Sequence, residues 1–364
     1  MSHDIEIIGD GCAALSFAAR ASEVNGSVTL IKPTNAPPAK DHVWGFWSDP
    51  ILQGAQKMVK QTWNKWAVLT HDECAVLESK AKPYNAFKRS DWTQHCQQLA
   101  ELSGVKIIDE QDWQQSSDSL IFDTRPPIVP DGCVLQHFRG IEITTTEQKF
   151  DPNIAILMDF RVDQSKGMHF MYLLPYSETE ALVESTIFST TLVDEQYYLD
   201  SINKYLAKYY QVTDYTTVHE ENGVIPLGNL SAHDAKIPGL GANGGATRPA
   251  SGYAFLFIQR QINTAIERAK RGKEISFTNP HKRLDLWMDS VLLTVLKQWP
   301  EQGPKMFIRM AKALNGDQFV NFLSGDAGYW TRLKVILAMP KWPFIKAVTR
   351  HIIPSRKVTK PVVA

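Results

Sequence analysis

The first twenty residues hold the feature that most constrains the fold, a short apolar strand followed at once by a glycine-rich turn and a helix. Residues 5–8 are mostly isoleucine, Gly9, Gly11 and Ala14 follow with the spacing G-x-G-x-x-A, and apolar residues recur at helical spacing over residues 15–19. The glycines let the backbone turn tightly beside a pyrophosphate, and the alanine keeps helix and strand close. Free N–H groups at the helix start hold the phosphate charge. We therefore predict a dinucleotide site, the alternative being a glycine-rich turn in an ordinary α/β unit.

Composition argues against several classes of function. A chain of 364 residues with 43% hydrophobic and 21% charged residues predicts a folded protein with a core large enough for two subdomains. Its formal net charge of zero offers no basic field to nucleic acid. The four cysteines form no C-x-x-C pair and the histidines no H-E-x-x-H cluster, so we predict neither a metal site nor a redox dithiol. There is no signal-peptide pattern and no long apolar run, so we expect reduced thiols, a cytoplasmic location and no spanning helix.

The next segments extend the α/β pattern. Residues 27–31 predict a second parallel strand, residues 90–102 a helix, and residues 105–108 and 120–123 further strands. The dinucleotide pattern expects an acid at the end of the second strand to bond the ribose, but Lys32 stands there. This departure leaves open how a ribose is held.

The pattern of alternating strands and helices changes between residue 133 and about residue 190. Strand-like runs at residues 134–138, 140–145, 154–162, 168–174 and 181–188 follow one another without room for helices, which predicts a mostly antiparallel sheet. Beyond it, residues 239–253 are rich in glycine and precede a predicted helix, so they offer a second set of N–H donors, with a flexible linker as the alternative. The candidate cofactor-binding residues of this stretch are Gly241, Gly245, Pro249 and Gly252.

Two groups of side chains are candidates for chemistry on a substrate. Trp44, Phe46 and Trp47 lie in a polar–aromatic segment and predict either an aromatic wall near the cofactor or a half-buried loop. Glu184 and Asp159 are carboxylates inside apolar strands. A carboxyl group that faces an apolar cavity has a raised pKa and becomes a proton donor near neutral pH. The alternative for Glu184 is the solvent-exposed face of its strand.

The last hundred residues predict helices, and residues 331–364 are basic, partly aromatic and free of acids. A segment of this kind either lies on an anionic membrane surface or packs as a basic tail on the protein. Its basic residues are Arg332, Lys334, Lys341, Lys346, Arg350, Arg356, Lys357 and Lys360.

A series of short motifs in a particular order and spacing runs through most of the chain. They are G-x-G-x-x-A at 9–14, DHVWGFW at 41–47, LQHFRG at 135–140, MDFR within 156–164, YLLPYS at 172–177, LVEST at 182–186, ENGVIP at 221–226 and PASGY at 249–253. In this arrangement the chain resembles the flavoprotein lycopene cyclases, the bacterial and plant type of lycopene β-cyclase.

The resemblance implies an α/β fold, with an FAD-binding Rossmann-like domain of the glutathione-reductase type, an inserted mostly antiparallel β substrate domain and a helical C-terminal region. Residues 1–132 and 215–272 would form the FAD-binding domain and residues 133–214 the substrate domain. Residues 273–364 would form the helical region, with membrane contact.

The resemblance also implies an activity, the acid-catalysed, non-redox cyclisation of the linear end groups of lycopene to β-ionone rings. This isomerisation requires reduced FAD, with NAD(P)H as the reductant. Glu184 matches the essential glutamate of the family and is expected to donate or accept the proton, while Asp159 would orient it or relay the proton. Trp44, Phe46 and Trp47 would stabilise the cation through cation–π contacts.

The substrate would be lycopene or a related linear carotenoid dissolved in a membrane, so we expect peripheral association with the inner (cytoplasmic) membrane and contacts with other enzymes of carotenoid biosynthesis. Ser185 stands where many bacterial members have an acid. Two alternatives remain open. One is an FAD-dependent monooxygenase or other oxidoreductase acting on another apolar polyene or isoprenoid, and the other is a carotenoid- or lipid-binding protein without cofactor.

Overall fold

The computed structural model describes residues 4–36, 38 and 40–352. Its strands are β1 (Ile5–Ile8), β2 (Val28–Lys32), β3 (Val43–Trp47), β4 (Gln61–Trp63), β5 (Lys65–Leu69), β6 (Cys74–Glu78), β7 (Tyr84–Lys88), β8 (Lys106–Asp109), β9 (Leu120–Asp123), β10 (Val134–Thr144), β11 (Ile154–Asp159), β12 (Met168–Pro175), β13 (Glu180–Ser189) and β14 (Thr216–Leu227). Its α-helices are α1 (Cys12–Ala18), α2 (Gln53–Gln56), α3 (Arg89–Leu102), α4 (Glu195–Tyr210), α5 (Phe255–Lys270), α6 (Arg283–Gln298), α7 (Gly303–Ala313), α8 (Gly316–Leu323), α9 (Tyr329–Ala338) and α10 (Lys341–Ile352).

The glycine-rich turn belongs to a parallel sheet with the strand order β8-β2-β1-β9. Ile5, Ile7 and Ile8 of β1 are almost wholly buried because β1 lies in the interior of the sheet and helices cover it. Helix α1 packs against α3 and α5 beside this sheet. The strands predicted from the sequence in this part are therefore present, and they place the turn between β1 and α1 at one edge of the domain.

A seven-stranded sheet with the order β14-β10-β13-β12-β11-β5-β6 forms the second layer. Its neighbours are antiparallel except β11 and β5. Apolar side chains of α4, among them Ile202 and Leu206, pack on one face against Ile141 and Val183. The other face, which carries Leu182 and its neighbours, meets the C-terminal helices. Alternate residues of each strand therefore enter two different cores.

Strand β10 corrects one sequence-based expectation. The residues before and after position 139 were expected to form two strands, but Val134–Thr144 is one continuous strand that pairs with both β13 and β14. Gly140 lies in its middle and pairs with Glu184 on one side and Glu221 on the other. Gly140 was expected to begin a second strand, whereas here it lies inside one strand and marks a close approach of neighbouring side chains.

A third, small antiparallel sheet has the order β3-β7-β4. Its side chains pack into the cores of both larger sheets. Phe46 and Phe87 belong to the core of the parallel sheet, and Trp47, Trp63 and Tyr84 belong to the core of the seven-stranded sheet. The aromatic segment predicted near the cofactor is therefore strand β3.

The C-terminal region is helical as far as the structure describes it, up to residue 352, and two buried ion pairs anchor it. Arg248 Nε lies 3.1 Å from Asp289 Oδ2 on α6, and Arg332 Nε on α9 lies 2.7 Å from Asp285 Oδ1 on α6. Removing one partner of such a buried pair costs about 3–5 kcal/mol because the other charge stays buried. Arg332 is therefore an internal residue, although it counted among the basic residues expected to be available to a membrane. Arg356, Lys357 and Lys360, and the side chain of Arg350, lie outside the described residues.

The strand pairing crosses the predicted domain limits. Strand β14 was assigned to the FAD-binding part but pairs with β10, and β5 and β6 come from the first 132 residues but extend the same seven-stranded sheet. Such pairings join segments far apart in sequence and leave no local pattern. As domain boundaries, the limits at residues 133, 214 and 273 stay predictions. No helix within the described residues is both long and apolar enough to cross a bilayer.

Candidate functional site

A cavity of about 700 Å³ lies where the parallel-sheet domain meets the seven-stranded sheet. Its wall includes Cys12 at the start of α1, Phe255 at the start of α5, and Glu184 of β13. Volumes of about 300–1,000 Å³ are typical of small-molecule and cofactor sites. The cavity therefore joins the glycine-rich turn to the carboxylate that the sequence singled out.

Two helix N-termini meet this cavity. Helix α1 begins after Gly11 and α5 after Ala254, and neither helix has a side-chain cap or an acid in its first turn. A Cβ atom at Gly11 would meet no atom within 4 Å. Gly9 is different, because its φ is +119° and a Cβ there would fall 2.0 Å from Thr124 Oγ1. Uncapped N–H groups and the helix dipole make both helix starts suitable for negative charge.

The second glycine-rich stretch packs against the first. A Cβ atom at Gly241 would lie 2.4 Å from Ala13 Cβ, so only glycine permits this contact. The Gly241 N–H group donates to Gln261 Oε1 at 2.8 Å, and those of Gly245 and Gly252 bond to carbonyls within the stretch. The expected second set of free donors is therefore largely used internally, and the free ones belong to α5.

The other candidates from this stretch and from the first turn divide into two groups. Gly252 lines the cavity, close to Gln136 and Ile225. Gly245 instead approaches Asn279, while Ala14 and Pro249 are buried structural positions outside the cavity wall.

Glu184 lies at the centre of the cavity's acidic site. It is buried on the inner face of β13, and its Oε1 accepts a hydrogen bond from Thr186 Oγ1. Across Gly140, Glu221 of β14 reaches towards it, and Glu221 Oε2 accepts a hydrogen bond from the Val43 N–H at 2.7 Å. A Cβ atom at position 140 would lie 3.1 Å from Glu221 Cγ, so the glycine gives the second carboxylate its space.

The two carboxylates titrate as a pair. Burial raises the pKa of Glu184 to about 7, while hydrogen bonds with Thr186 and Glu221 oppose the rise. Burial, and next the charge of Glu184, raise the pKa of Glu221 well above its usual range. Two neighbouring carboxyl groups away from water share a proton instead of both ionising. The site therefore holds an exchangeable proton near neutral pH.

Aromatic side chains surround this acid. Trp44 and Trp47 line the cavity, as do Tyr84, Tyr172 and Tyr253. The Tyr84 and Tyr172 hydroxyls are 2.8 Å apart, and burial raises the pKa of all three phenols well above the usual value, so they remain neutral. The wall thus offers ring faces and neutral hydroxyls to a ligand.

Phe46 does not belong to this wall. It is buried behind it, with ring centroids 5.3 Å from Phe87 and 5.9 Å from Phe255. Strand alternation explains the difference, since Phe46 and Trp47 point to opposite faces of β3. Phe46 is therefore not among the residues that line this cavity, and its contact with a substrate stays a prediction.

Asp159 is likewise not brought to Glu184. Its carboxylate is fully buried, is paired with Arg161 and accepts a hydrogen bond from Tyr205 of α4 at 2.7 Å. A bulge between Ile156 and Asp159 shifts the register of β11, so Asp159 points to the α4 side while Leu157 and Met158 line the cavity. The sequence showed an acid on an apolar strand, but it did not show which face that acid occupies.

Sequence reasoning missed Glu221 as a functional residue. Its strand is polar and exposed at many positions, so Glu221 does not stand out from its neighbours as an acid inside an apolar strand does. Two other cavity residues, Gln136 and Ser251, carry side-chain oxygens that are buried and unpaired within the described residues. Those atoms are free to bond a ligand. Nowhere in the part of the chain that the structure describes do three His, Cys, Asp or Glu residues gather as a metal site.

Comparisons with known proteins place the chain in one family. The model of the family described as "Lycopene cyclase protein" matches residues 4–349. The lycopene beta-cyclase of Paracoccus sp. is 31% identical over 133 residues, covering 34% of this chain and 33% of that protein. The lycopene beta-cyclase of Pantoea ananas is 24% identical over 206 residues, covering 53% of each. The alignments thus span a third to a half of these relatives.

Solved structures support the fold. A geranylgeranyl bacteriochlorophyll reductase-like protein from Thermoplasma acidophilum has a TM-score of 0.60 at 12% identity and covers 96% of this chain and 98% of its own. A flavoprotein/dehydrogenase from Cytophaga hutchinsonii has a TM-score of 0.61 at 12% identity, covering 96% and 99%. At this identity the likeness concerns the fold alone, and it confirms the predicted α/β fold of the flavoprotein type.

The raised pKa of Glu184 predicts a pH-dependent effect on stability. Its pKa is about 7 in the folded chain and near 4.5 when solvated, so the folded state binds more protons between these values. The stability that the folded chain gains from this raised pKa is complete below about pH 4.5. It is lost as the pH rises through the folded-state pKa of about 7. We therefore compare the free energy of unfolding of Glu184→Gln with that of the unchanged protein at about pH 5 and at about pH 8, by urea denaturation. The difference, variant minus unchanged protein, should be larger at the higher pH.

Glu180→Gln is the matched control, because Glu180 is exposed on the same strand. Its stability relative to the unchanged protein should hardly vary with pH. An equal difference for Glu184→Gln at both pH values would contradict a buried, proton-binding Glu184.

Proposed function

The chain belongs to the lycopene cyclase protein family, and we propose that it is a lycopene β-cyclase that closes the linear end groups of lycopene to β-ionone rings without net redox change. The observation that carries the proposal is the buried, proton-holding Glu184 in a cavity otherwise lined largely by apolar and aromatic side chains. An acid in such a place suits protonation of a hydrocarbon, which has no polar group to bind.

The proposed reaction needs one proton per ring and returns it. Glu184 donates a proton to the terminal double bond of the end group, leaving a tertiary cation. The neighbouring double bond attacks that cation, a carbon–carbon bond closes the six-membered ring, and a ring carbon then loses a proton. The carboxylate of Glu184, or its partner Glu221, takes up this proton. General acid–base catalysis of this kind contributes roughly 10²–10⁴-fold.

We assign to Glu221 the supporting role that the family resemblance implied for Asp159. Its hydrogen bond with Glu184 and its own raised pKa let the pair hold a proton between them. Asp159 is neutralised by Arg161 on the far face of the sheet, so we assign it a structural role.

The aromatic wall is suited to the cation. Ring faces attract positive charge by about 0.5–2 kcal/mol each, most strongly where water is excluded. We propose this role for Trp44, Trp47 and the tyrosines at positions 84, 172 and 253, because all five line the cavity with Glu184. Neutral phenols also avoid offering a strong base that would quench the cation early.

The residues present fit FAD. The uncapped starts of α1 and α5 suit its pyrophosphate and the flavin ring, Gly11 leaves room for close approach, and the unpaired oxygens of Gln136 and Ser251 can bond a polar ring edge. When bound in its reduced form, with NAD(P)H as the reductant, the flavin would supply negative charge near the cation. Lys32 is exposed at the end of β2, and the nearby Thr34 N–H donates to Oε2 of Glu110, the residue after β8, at 3.0 Å, so we propose Glu110 as the acid nearest to the position where the pattern expects a ribose ligand.

The second candidate, an FAD-dependent oxidoreductase on an apolar isoprenoid, shares the same fold. The titrating pair at positions 184 and 221 favours the cyclase, because proton transfer to a hydrocarbon requires such an acid and hydride or oxygen transfer does not. An oxidoreductase would consume NAD(P)H in proportion to product, whereas a cyclase yields an isomer of unchanged mass.

We further propose that the protein is cytoplasmic and docks peripherally on the inner membrane through α9 and α10. Exposed apolar side chains follow one another there, including Trp330 at 79% exposure, Leu337 at 62% and Trp342 at 66%. Lys334, Lys341 and Lys346 lie among them, and no acid follows Asp326. Each lysine near an anionic surface contributes about 1 kcal/mol.

The catalytic assignment predicts the behaviour of Glu184→Gln. The amide keeps the shape of the side chain but cannot donate the proton, so cyclisation should fall by at least about a hundredfold while bound flavin stays unchanged. Products are measured by chromatography of extracts from lycopene-accumulating cells, and flavin by absorbance of the purified protein. Glu180→Gln, on the same strand, should cyclise normally; near-normal cyclisation by Glu184→Gln would rule out its assigned role.

The membrane assignment predicts loss of vesicle binding in a Leu337→Ser/Trp342→Ser variant. The unchanged protein should sediment with phosphatidylcholine vesicles that contain about 30% anionic lipid, and less so at high salt because the lysine attraction is screened. The double variant should remain mostly in solution. Val218→Ser removes an equally exposed apolar side chain from β14 and should bind normally. Equal binding by all three proteins would contradict docking through α9 and α10.

A further inference from the structure

A second cavity, of about 360 Å³, lies between α6, α7, α9 and α10. Almost all of its lining is apolar, with leucine, valine, methionine and phenylalanine predominating. The polar side chains that reach it are Asp289, which is neutralised by Arg248, and Lys341 and Thr349 on α10. A cavity with such an apolar lining favours hydrocarbon over charged ligands.

The two cavities share a wall. Phe307 and Met310 of α7 line both of them, and their spacing of three residues puts them on the same face of the helix. Both side chains are buried. Methionine has three rotatable bonds and adapts its shape to its neighbours. These two side chains therefore form part of the partition between the cavities.

The far end of the second cavity reaches the surface. Trp287, Ile336 and Ile345 line it and are each 42–55% exposed. Ile336 and Ile345 belong to the helices whose exposed apolar side chains are proposed above to meet the bilayer. A ligand that leaves the bilayer at this point passes from one apolar environment into another.

We propose that the two cavities form one tunnel for an extended apolar chain, with Phe307 and Met310 as its gate. The identity of the chain as a carotenoid rests on the proposed function. The first cavity has the volume of an ordinary small-molecule site, and a flavin ring and one end group would have to share it. The remainder of a forty-carbon polyene needs a second apolar compartment, and the second cavity provides it in line with the bilayer surface.

The first test blocks the gate. Met310→Trp fills the shared wall with a rigid ring, so cyclisation of lycopene should fall at least tenfold while bound flavin stays unchanged. Met310→Leu keeps the volume of the side chain and should stay within about twofold of the unchanged protein. Leu102→Trp adds the same bulk at the exposed end of α3, outside the lining of either cavity, and should also remain active. Normal cyclisation by flavin-replete Met310→Trp would overturn the tunnel.

The second test measures binding of lycopene in the second cavity, in a variant that does not cyclise it. In a Glu184→Gln background, Ile336→Cys places a thiol in the second cavity, and Leu333→Cys places one a turn earlier on α9 with similar exposure but outside the cavity. Lycopene in detergent micelles should slow alkylation of the first thiol at least fivefold relative to empty micelles, and leave the second unaffected. Equal alkylation of the first thiol with and without lycopene would overturn the tunnel.

The two tests separate this inference from the proposed function. If the unchanged protein does not cyclise lycopene, the cyclase assignment fails, while protection of the thiol at position 336 by lycopene or by squalene still supports an apolar tunnel. If the protein cyclises lycopene but that thiol is not protected, the tunnel is wrong and the cyclase assignment stands. Should Met310→Trp fail to retain flavin, the protection assay alone decides.

Discussion

The contact on which the account depends is that between Glu184 and Glu221 across Gly140. Three strands bring it about, because β10 lies between β13 and β14 and contributes a residue without a side chain at the crossing point. Burial makes ionisation of both carboxylates costly, so the pair retains a proton where an isolated surface glutamate would have lost it. The folded core thereby keeps a carboxyl proton in place near neutral pH, which the proposed protonation of a hydrocarbon needs.

The rest of the fold positions a cavity around this pair. The parallel sheet directs the starts of α1 and α5 to one side, and the seven-stranded sheet directs the carboxylates and tyrosines to the other. Negative charge is favoured at the helix starts and positive charge is favoured beside the aromatic rings. One wall thus favours negative charge and the other favours positive charge, which suits the proposed arrangement of a reduced flavin facing a cationic end group.

The first strand, its glycine turn and the following helix could be predicted from the sequence because local periodicity and the G-x-G-x-x-A spacing determine them. Glu184 could be singled out because an acid interrupts an apolar strand. Glu221 could not, since its strand is largely polar and its partner is 37 positions away in sequence. Asp159 and Phe46 lie outside the cavity lining for a related reason: a bulge in β11 and the alternation of β3 decide which face a side chain takes, and a single sequence reveals neither.

The most direct measurement of the central claim is cyclisation of lycopene in heavy water, with the product analysed by mass spectrometry. The carboxyl proton of Glu184 exchanges with solvent, so each ring formed should carry one added deuterium, while in ordinary water the product should have the mass of lycopene. A product without deuterium, or one whose mass differs from that of lycopene by oxygen or by a pair of hydrogens with matching consumption of NAD(P)H, would contradict proton transfer from the buried pair.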